Sequence, residues 1–287
     1  MNNINLTSQP WQDYELIDSG DNRKLERYGS YIVIRPETQA IWKPARPKDW
    51  KRANAEFSWI EGKGAWQKKN IPQSWEISWE DIRFTVRLTS FKHTGVFPEQ
   101  TVNWQWLRER VAALKQPKVL NLFGYTGIAS IAAAKGKAQV THVDASKQSN
   151  AWAKENARLS GISEGSIRYI LEDALKFTER EARRGAIYDG IILDPPAFGR
   201  GPKGEVWKIE ESIPRLLTAI KSILSSKPGS FFLLNGYAAG YSPQSFLQAV
   251  ESSFGEKKGE YGELLIQEAG SDRSVPAGIY VRFTRTS

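Results

Sequence analysis

In the second half of the chain a glycine loop and three carboxylates stand at the ends of apolar runs, residue types that could hold a nucleoside and a reacting amine. Lys118-Val-Leu-Asn-Leu122 reads as a buried strand that breaks into Phe123, Gly124, Tyr125, Thr126 and Gly127, then resumes as a helix of small residues. Glycines let such a loop turn sharply and admit a ligand close to the backbone, and the helix start behind it offers unpaired N–H groups. A plain strand-to-helix turn would look the same at this point. The next run ends in Asp144-Ala145-Ser146. Asp144 lies about twenty residues beyond the first glycine, the spacing of a carboxylate that accepts from ribose hydroxyls. The third ends in Asp173-Ala174, where Asp173 could accept from an exocyclic amino group or simply cap a helix. The fourth ends in Asp194-Pro195-Pro196-Ala197-Phe198. Two prolines fix the backbone there, so Asp194 could accept a hydrogen bond from an amine and Phe198 could stack a base.

Such residues converge only if the strands lie parallel in one sheet, and the chain alternates accordingly. Strands are predicted at 119–123, 139–143, 167–171, 190–193 and 230–234, with helices at 128–135, 149–160, 174–184 and 213–225 between them. A helix at 243–253 and a closing antiparallel pair, 262–268 and 278–284, complete an α/β unit of seven strands, mostly parallel with an antiparallel last strand. Before it the composition changes. Tryptophans crowd into the first hundred residues, and short alternating runs at 31–35, 75–79 and 82–88 predict a small antiparallel β domain over 1–95, ahead of a core over 96–287. Thr101 is placed to cap a helix running into Trp104–Leu114.

Within the first region Lys43, Arg46, Lys48, Lys51 and Arg52 interleave with Trp42 and Trp50. Cations neutralise phosphates and indoles stack unpaired bases, so the stretch could face RNA; a solvated loop whose tryptophans pack inward fits as well. Arg200, Lys203 and Lys208 follow the Asp-Pro-Pro turn in a glycine-rich stretch that reads as a mobile substrate-side lid, or as a solvated loop without a partner. A net charge of +8 favours a polyanionic partner. No Cys occurs, which removes disulfides, Cys-held zinc and thiolate nucleophiles, and the two histidines, His93 and His142, are too far apart in sequence to suggest a metal site. With no signal-peptide pattern and no run long enough to span a bilayer, a cytoplasmic protein is expected.

Leu120-Asn-Leu-Phe-Gly-Tyr-Thr-Gly127, Val143-Asp-Ala-Ser146, Glu172-Asp-Ala174 and Asp194-Pro-Pro-Ala-Phe198 resemble motifs I to IV of class I S-adenosylmethionine-dependent methyltransferases. Within that class they are most similar to the bacterial large-subunit ribosomal RNA methyltransferase I group, over roughly residues 92 to 240. The resemblance implies a Rossmann-like methyltransferase core and S-adenosylmethionine as cofactor. It places Phe123 to Gly127 around the methionine part, Asp144 with Ala145 and Ser146 at the ribose, and Asp173 with Ala174 at the adenine. Asp194 then lies between cofactor and target, and Phe97 and Gln100 fold over the cofactor. Residues 1–90 do not resemble the RNA-binding module that often precedes that core.

Two departures bear on the reaction. Ala197 separates the second proline from the aromatic. Where that family carries a cysteine after the fifth strand, this chain reads Leu234-Asn-Gly-Tyr-Ala-Ala239. Methylation at pyrimidine carbon 5 needs a thiolate to activate the ring, so transfer to a nitrogen or oxygen of RNA, ribosomal RNA foremost, is expected instead. A protein or small-molecule methyltransferase and a non-catalytic cofactor-binding RNA module remain open. An NAD-type dehydrogenase fits Asp144, but the loop is not G-x-G-x-x-G and Asp-Pro-Pro has no role there.

Overall fold

The computed structural model describes residues 1–60, 63–237 and 240–286. Two compact units emerge, neither continuous in sequence: one comprises Met1–Leu6, Val102–Leu264 and Gly278–Ser287, the other Thr7–Thr101 and Leu265–Ala277.

The first unit carries the α/β sheet. Its strands run in the order Glu260–Gln267, Ser274–Thr284, Phe231–Gly236, Gly190–Leu193, Lys118–Leu122, Gln139–Asp144 and Ile167–Leu171. All pairs from Phe231–Gly236 to Ile167–Leu171 are parallel, and Ser274–Thr284 is antiparallel to Phe231–Gly236. The seven expected strands are all present, with two short additions at the edge, Asn2–Asn3 and Leu6–Ser8. The central strands are mostly apolar because helices cover both their faces: every residue of Gly190–Leu193 and Phe231–Gly236 is buried. The helix Ile209–Ile223 buries Ile209, Ile213, Leu216, Leu217, Ile220 and Ile223, a three-to-four spacing that lays one stripe on the core with Phe177, Phe232 and Leu193. That helix starts four residues before the expected boundary.

The second unit holds a five-stranded sheet in the order Tyr14–Gly20, Arg23–Tyr28, Tyr31–Pro36, Ala55–Ile60 and Lys63–Lys68, and a hairpin, Ser74–Trp79 with Ile82–Arg87. Its pairs are antiparallel except one: Val33 and Ile34 register in parallel with Ala55 and Glu56. Ile17, Leu25, Ile32 and Ile34 form an apolar cluster closed by Trp50 and Ala53. On the same sheet Arg35 makes a two-pronged pair with the fully buried Glu26, at 2.7 and 2.8 Å, and the hydroxyls of Tyr14 and Tyr28 donate to that carboxylate. Thr101 is the first residue of the helix Thr101–Ala112, and its hydroxyl donates to the carbonyl of Pro98.

Candidate cofactor and catalytic site

After Lys118–Leu122 the loop passes through three left-handed residues: Phe123 at φ 56°, Tyr125 at 47° and Gly127 at 82°. Such a conformation is unfavourable for the two side-chain-bearing residues, so neighbours must hold it. Four hydrogen bonds do. The Gly124 amide donates to the Val143 carbonyl (3.1 Å), the Tyr125 amide to Asp144 Oδ2 (2.8 Å), the Gly127 amide to the Gly124 carbonyl (2.9 Å), and Asn156 Nδ2 to the Thr126 carbonyl (2.9 Å). Glycine is required at 124 by space: a Cβ there would lie 2.4 Å from the His142 ring.

His142 therefore acts as a floor for the loop. It is fully buried, and desolvation pushes its pKa down to about 3, so the ring is neutral. Asn121 Nδ2 donates to Ser130 Oγ (2.9 Å), and Ser130 Oγ shares a second hydrogen bond with His142 Nδ1 at 3.0 Å. Asn121 and His142 are register partners on adjacent strands, and Ser130 comes from the helix behind the loop. No local sequence signal connects these three. Among the described residues no group of acids and histidines could hold a metal.

Asp144 stands at the end of the neighbouring strand. Its two carboxylate oxygens accept from the amides of Tyr125 and Ser146, both at 2.8 Å, and burial raises its pKa against these two donors. A carboxylate offers about four acceptor sites, so two remain, which suits the paired hydroxyls of a ribose. Ser146 has a different task in this fold. Its side chain caps the helix Lys147–Leu159, accepting from Ser149 N at 3.1 Å, while Ala145 lies half-buried between it and Asp144. Asp173 likewise caps the helix Ala174–Arg183, Oδ1 accepting from Lys176 N at 2.9 Å, and its second oxygen takes no donor among the described residues. Ala174 packs into the apolar core.

Asp194 follows the strand Gly190–Leu193, with its amide donating to the Leu122 carbonyl at 3.4 Å. Among the described residues nothing donates to its carboxylate, and desolvation raises its pKa to about 6. Pro195 is buried and Pro196 exposed. The strand pairing Leu193 with Leu234 brings Asn235 alongside the turn. Asn235 Oδ1 accepts from Asn103 Nδ2 at 2.9 Å, and Asn103 Oδ1 accepts from Arg282 at 3.0 Å, so this strand end is held by a buried amide pair. Of the stretch aligned with the family's cysteine, Ala238 and Ala239 lie outside the described residues.

The expected mobile loop after the turn is a hairpin. Phe198–Arg200 pairs antiparallel with Val206–Lys208, matching Phe198 with Lys208, Gly199 with Trp207 and Arg200 with Val206. Trp207 is the residue that sequence reasoning missed. It is 3% exposed, its indole N–H donates to the Pro196 carbonyl at 2.7 Å, and its ring meets Phe123 edge-on at 4.7 Å. One side chain thus ties the Asp-Pro-Pro turn to the glycine loop. Phe198 is exposed on the opposite face, and Lys208 pairs with Glu211 at 2.8 Å.

The remaining candidates belong to the other unit. Lys43 pairs with Asp21 at 2.9 Å, and Arg46 and Arg52 share Asp49 at 2.8 and 3.4 Å; Lys51 is exposed. The tryptophans among them are structural: Trp42 donates to Ser19 Oγ (3.0 Å) and Trp50 to Asp18 Oδ2 (2.7 Å). Phe97 leads into the short turn Pro98–Gln100, where the Gln100 amide donates back to the Phe97 carbonyl at 3.0 Å and the Gln100 side chain is buried.

Comparison with known proteins gives three findings. Residues 53–248 match the family model described as S-adenosylmethionine-dependent methyltransferase. A curated "Ribosomal RNA large subunit methyltransferase K/L" from Pseudoalteromonas atlantica is 35% identical over 173 residues, 59% of this chain; one of the same name from Vibrio parahaemolyticus is 28% identical over 228 residues, 71% of this chain. The chain spans only 23% and 31% of those two proteins. A crystal structure of a SAM-dependent methyltransferase from Agrobacterium tumefaciens superimposes with a TM-score of 0.93 at 42% identity, covering 99% of this chain and 94% of that one.

Proposed function

The chain belongs to the S-adenosylmethionine-dependent methyltransferase family, and we propose that it delivers the methyl group to a nitrogen or oxygen of RNA, with ribosomal RNA as the substrate class. The observation that carries the choice of atom is Asp194, a dehydrated carboxylate at a strand end with no donor of its own among the described residues. When bound, the cofactor would supply a sulfonium methyl whose carbon a nitrogen or oxygen lone pair can attack, with the thioether S-adenosylhomocysteine as the leaving group. The protein's part is alignment and removal of water from the nucleophile. Asp144 would offer its two free acceptor sites to the ribose, the Phe123–Gly127 loop would hold the methionine part, and the second oxygen of Asp173 would accept from the adenine amino group. Asp194, held by Pro195 and Pro196, would accept the hydrogen bond of the target amine or hydroxyl, keep a lone pair directed at the methyl group, and take up the proton that the target releases on transfer. Without any cysteine in the sequence there is no thiolate to add to a pyrimidine, and the carbon-5 route lacks its nucleophile.

RNA is favoured by the names of the curated relatives and by the net charge of +8. The test is tritium transfer from labelled S-adenosylmethionine into total RNA and total protein, followed by nucleoside analysis. Label in an N- or O-methylated nucleoside is expected; 5-methylcytosine or 5-methyluracil, or label in protein alone, would refute the reading.

Trp207 enters as a positioning residue. Phenylalanine keeps the contact with Phe123 and removes the N–H that holds Pro196. Trp207→Phe is expected to lower kcat about tenfold, the equivalent of one lost hydrogen bond, with the cofactor KM unchanged. A rise in cofactor KM at constant kcat would instead assign the residue to cofactor binding.

A further inference from the structure

Side chains alternate across a pleated ladder, so the Phe198–Arg200/Val206–Lys208 hairpin has two unlike faces. Its inner face is Trp207, packed on Phe123 and the Pro196 carbonyl. Its outer face carries Phe198 and Arg200 from one strand and Val206 and Lys208 from the other. Phe198 is 56% and Val206 54% exposed, an unusual cost for two large apolar groups beside a catalytic turn. Cross-strand neighbours there join an apolar group to a cation: Phe198 to Lys208, Val206 to Arg200. Arg200 and, at the hairpin tip, the Lys203 ammonium are exposed and have no partner among the described residues. The nearby acids are already engaged: Glu205 accepts from Lys176 Nζ at 2.7 Å and from the Lys203 amide at 2.8 Å, and Glu211 pairs with Lys208. An aromatic ring beside unpaired cations, with Glu205 and Glu211 already paired to lysines, is complementary to unpaired bases joined by phosphates.

We propose that this outer face is a platform for single-stranded RNA that holds nucleotides flanking the methylated one, Phe198 stacking a neighbouring base while Arg200 and Lys203 bind phosphates. The inference rests on the RNA reading above. It reassigns Phe198, expected from sequence to stack the reacting base. Ala197 displaces the aromatic by one residue, the Ala197 carbonyl accepts from the Ile209 amide at 3.0 Å, and Phe198 is thereby committed to the ladder on the face turned away from Phe123. Same-face residues on one strand lie about 7 Å apart, which sets the ring and the Arg200 cation within reach of successive nucleotides.

The test uses the full chain as wild type, Phe198→Ala and the double variant Arg200→Ala/Lys203→Ala. Unmodified large-subunit ribosomal RNA made by transcription serves for kinetics, fluorescein-labelled octauridylate for binding, and calorimetry for cofactor affinity. Phe198→Ala should raise the RNA KM about tenfold and weaken octauridylate binding to match, with kcat and cofactor affinity unchanged. The double variant should flatten the salt dependence of binding by about 1.4 in log–log slope. All three sites are exposed, so thermal midpoints should stay equal and confirm intact folds. A fall in kcat at constant KM would return Phe198 to the reacting base and overturn the platform. Unchanged KM and salt slope in both variants, with wild-type RNA methylation intact, would overturn the platform alone. Wild-type label in protein and none in RNA would overturn the RNA reading, and the platform with it.

Discussion

Asp194→Asn should leave a protein that binds S-adenosylmethionine normally and transfers almost no methyl. Asparagine keeps the shape of the turn but cannot take on the negative charge that receives the substrate proton, and loss of such a group costs about 10²- to 10⁴-fold in rate. The same dehydration that prepares Asp194 makes it a burden on stability. Its folded pKa is raised from 3.8 to about 6, so the folded state favours the protonated form. The stability this group contributes is complete below the unfolded pKa and is lost as pH rises through about 6, a cost of about 3 kcal/mol at neutral pH. The inactive variant should therefore be the more stable protein above about pH 6, with the difference closing toward about pH 4. Denaturant midpoints measured across that range test the sign. Activity of the wild type should fall on the acid side with an apparent pKa near 6, and this limb should vanish with the carboxylate. Full activity in Asp194→Asn would remove the residue from the mechanism.

Arg35→Met should be the most destabilising change in the β-rich unit. Glu26 is fully buried, and although burial opposes its charge, the Arg35 guanidinium, with Lys24 at 3.8 Å and the hydroxyls of Tyr14 and Tyr28, holds its pKa down to about 2. Methionine fills much of the arginine's space yet leaves a buried carboxylate without its principal partner, which costs about 3–5 kcal/mol. The pH dependence follows from the depressed pKa. In the wild type the Glu26 contribution is present above the unfolded value of 4.5 and is lost as pH falls toward about 2. In the variant the desolvated carboxylate prefers its proton, so it is penalised most at neutral pH. The gap between the two urea midpoints should thus be widest near pH 7 and narrow in acid. A gap that is constant with pH would mean that packing, not charge pairing, is what Arg35 supplies.

The four strand-end motifs were legible in sequence because a parallel sheet does most of the work of assembly. Every strand that starts at one edge ends at the other, so Gly124, Asp144, Asp173 and Asp194 gather at one rim once their strands are recognised, whatever the helices do in detail. The missing thiolate needed no structure either, since it is a matter of composition. Tertiary structure alone decided what holds those motifs. Val206-Trp-Lys208 sits among glycine, proline and lysine and carries the local signature of a loop, yet three ladder pairs and a buried indole make it a strand; the stabilising partners, Phe123 and Pro196, are 84 and 11 residues away. His142 looked like an isolated histidine until strand register set it beside Asn121 and beneath Gly124. Asp173 read as an adenine acceptor or a cap and Ser146 only as a ribose-side residue, and the observed amide bonds show that both cap. Glu26 and Arg35 fall on alternating strand positions that periodicity assigns to a face but not to each other. The cofactor family and the order of the strand-end motifs could be read without the fold, because these depend on residue types and strand order. The tertiary structure decided which side chains set their geometry, because burial, register and contact across long separations have no local pattern to announce them.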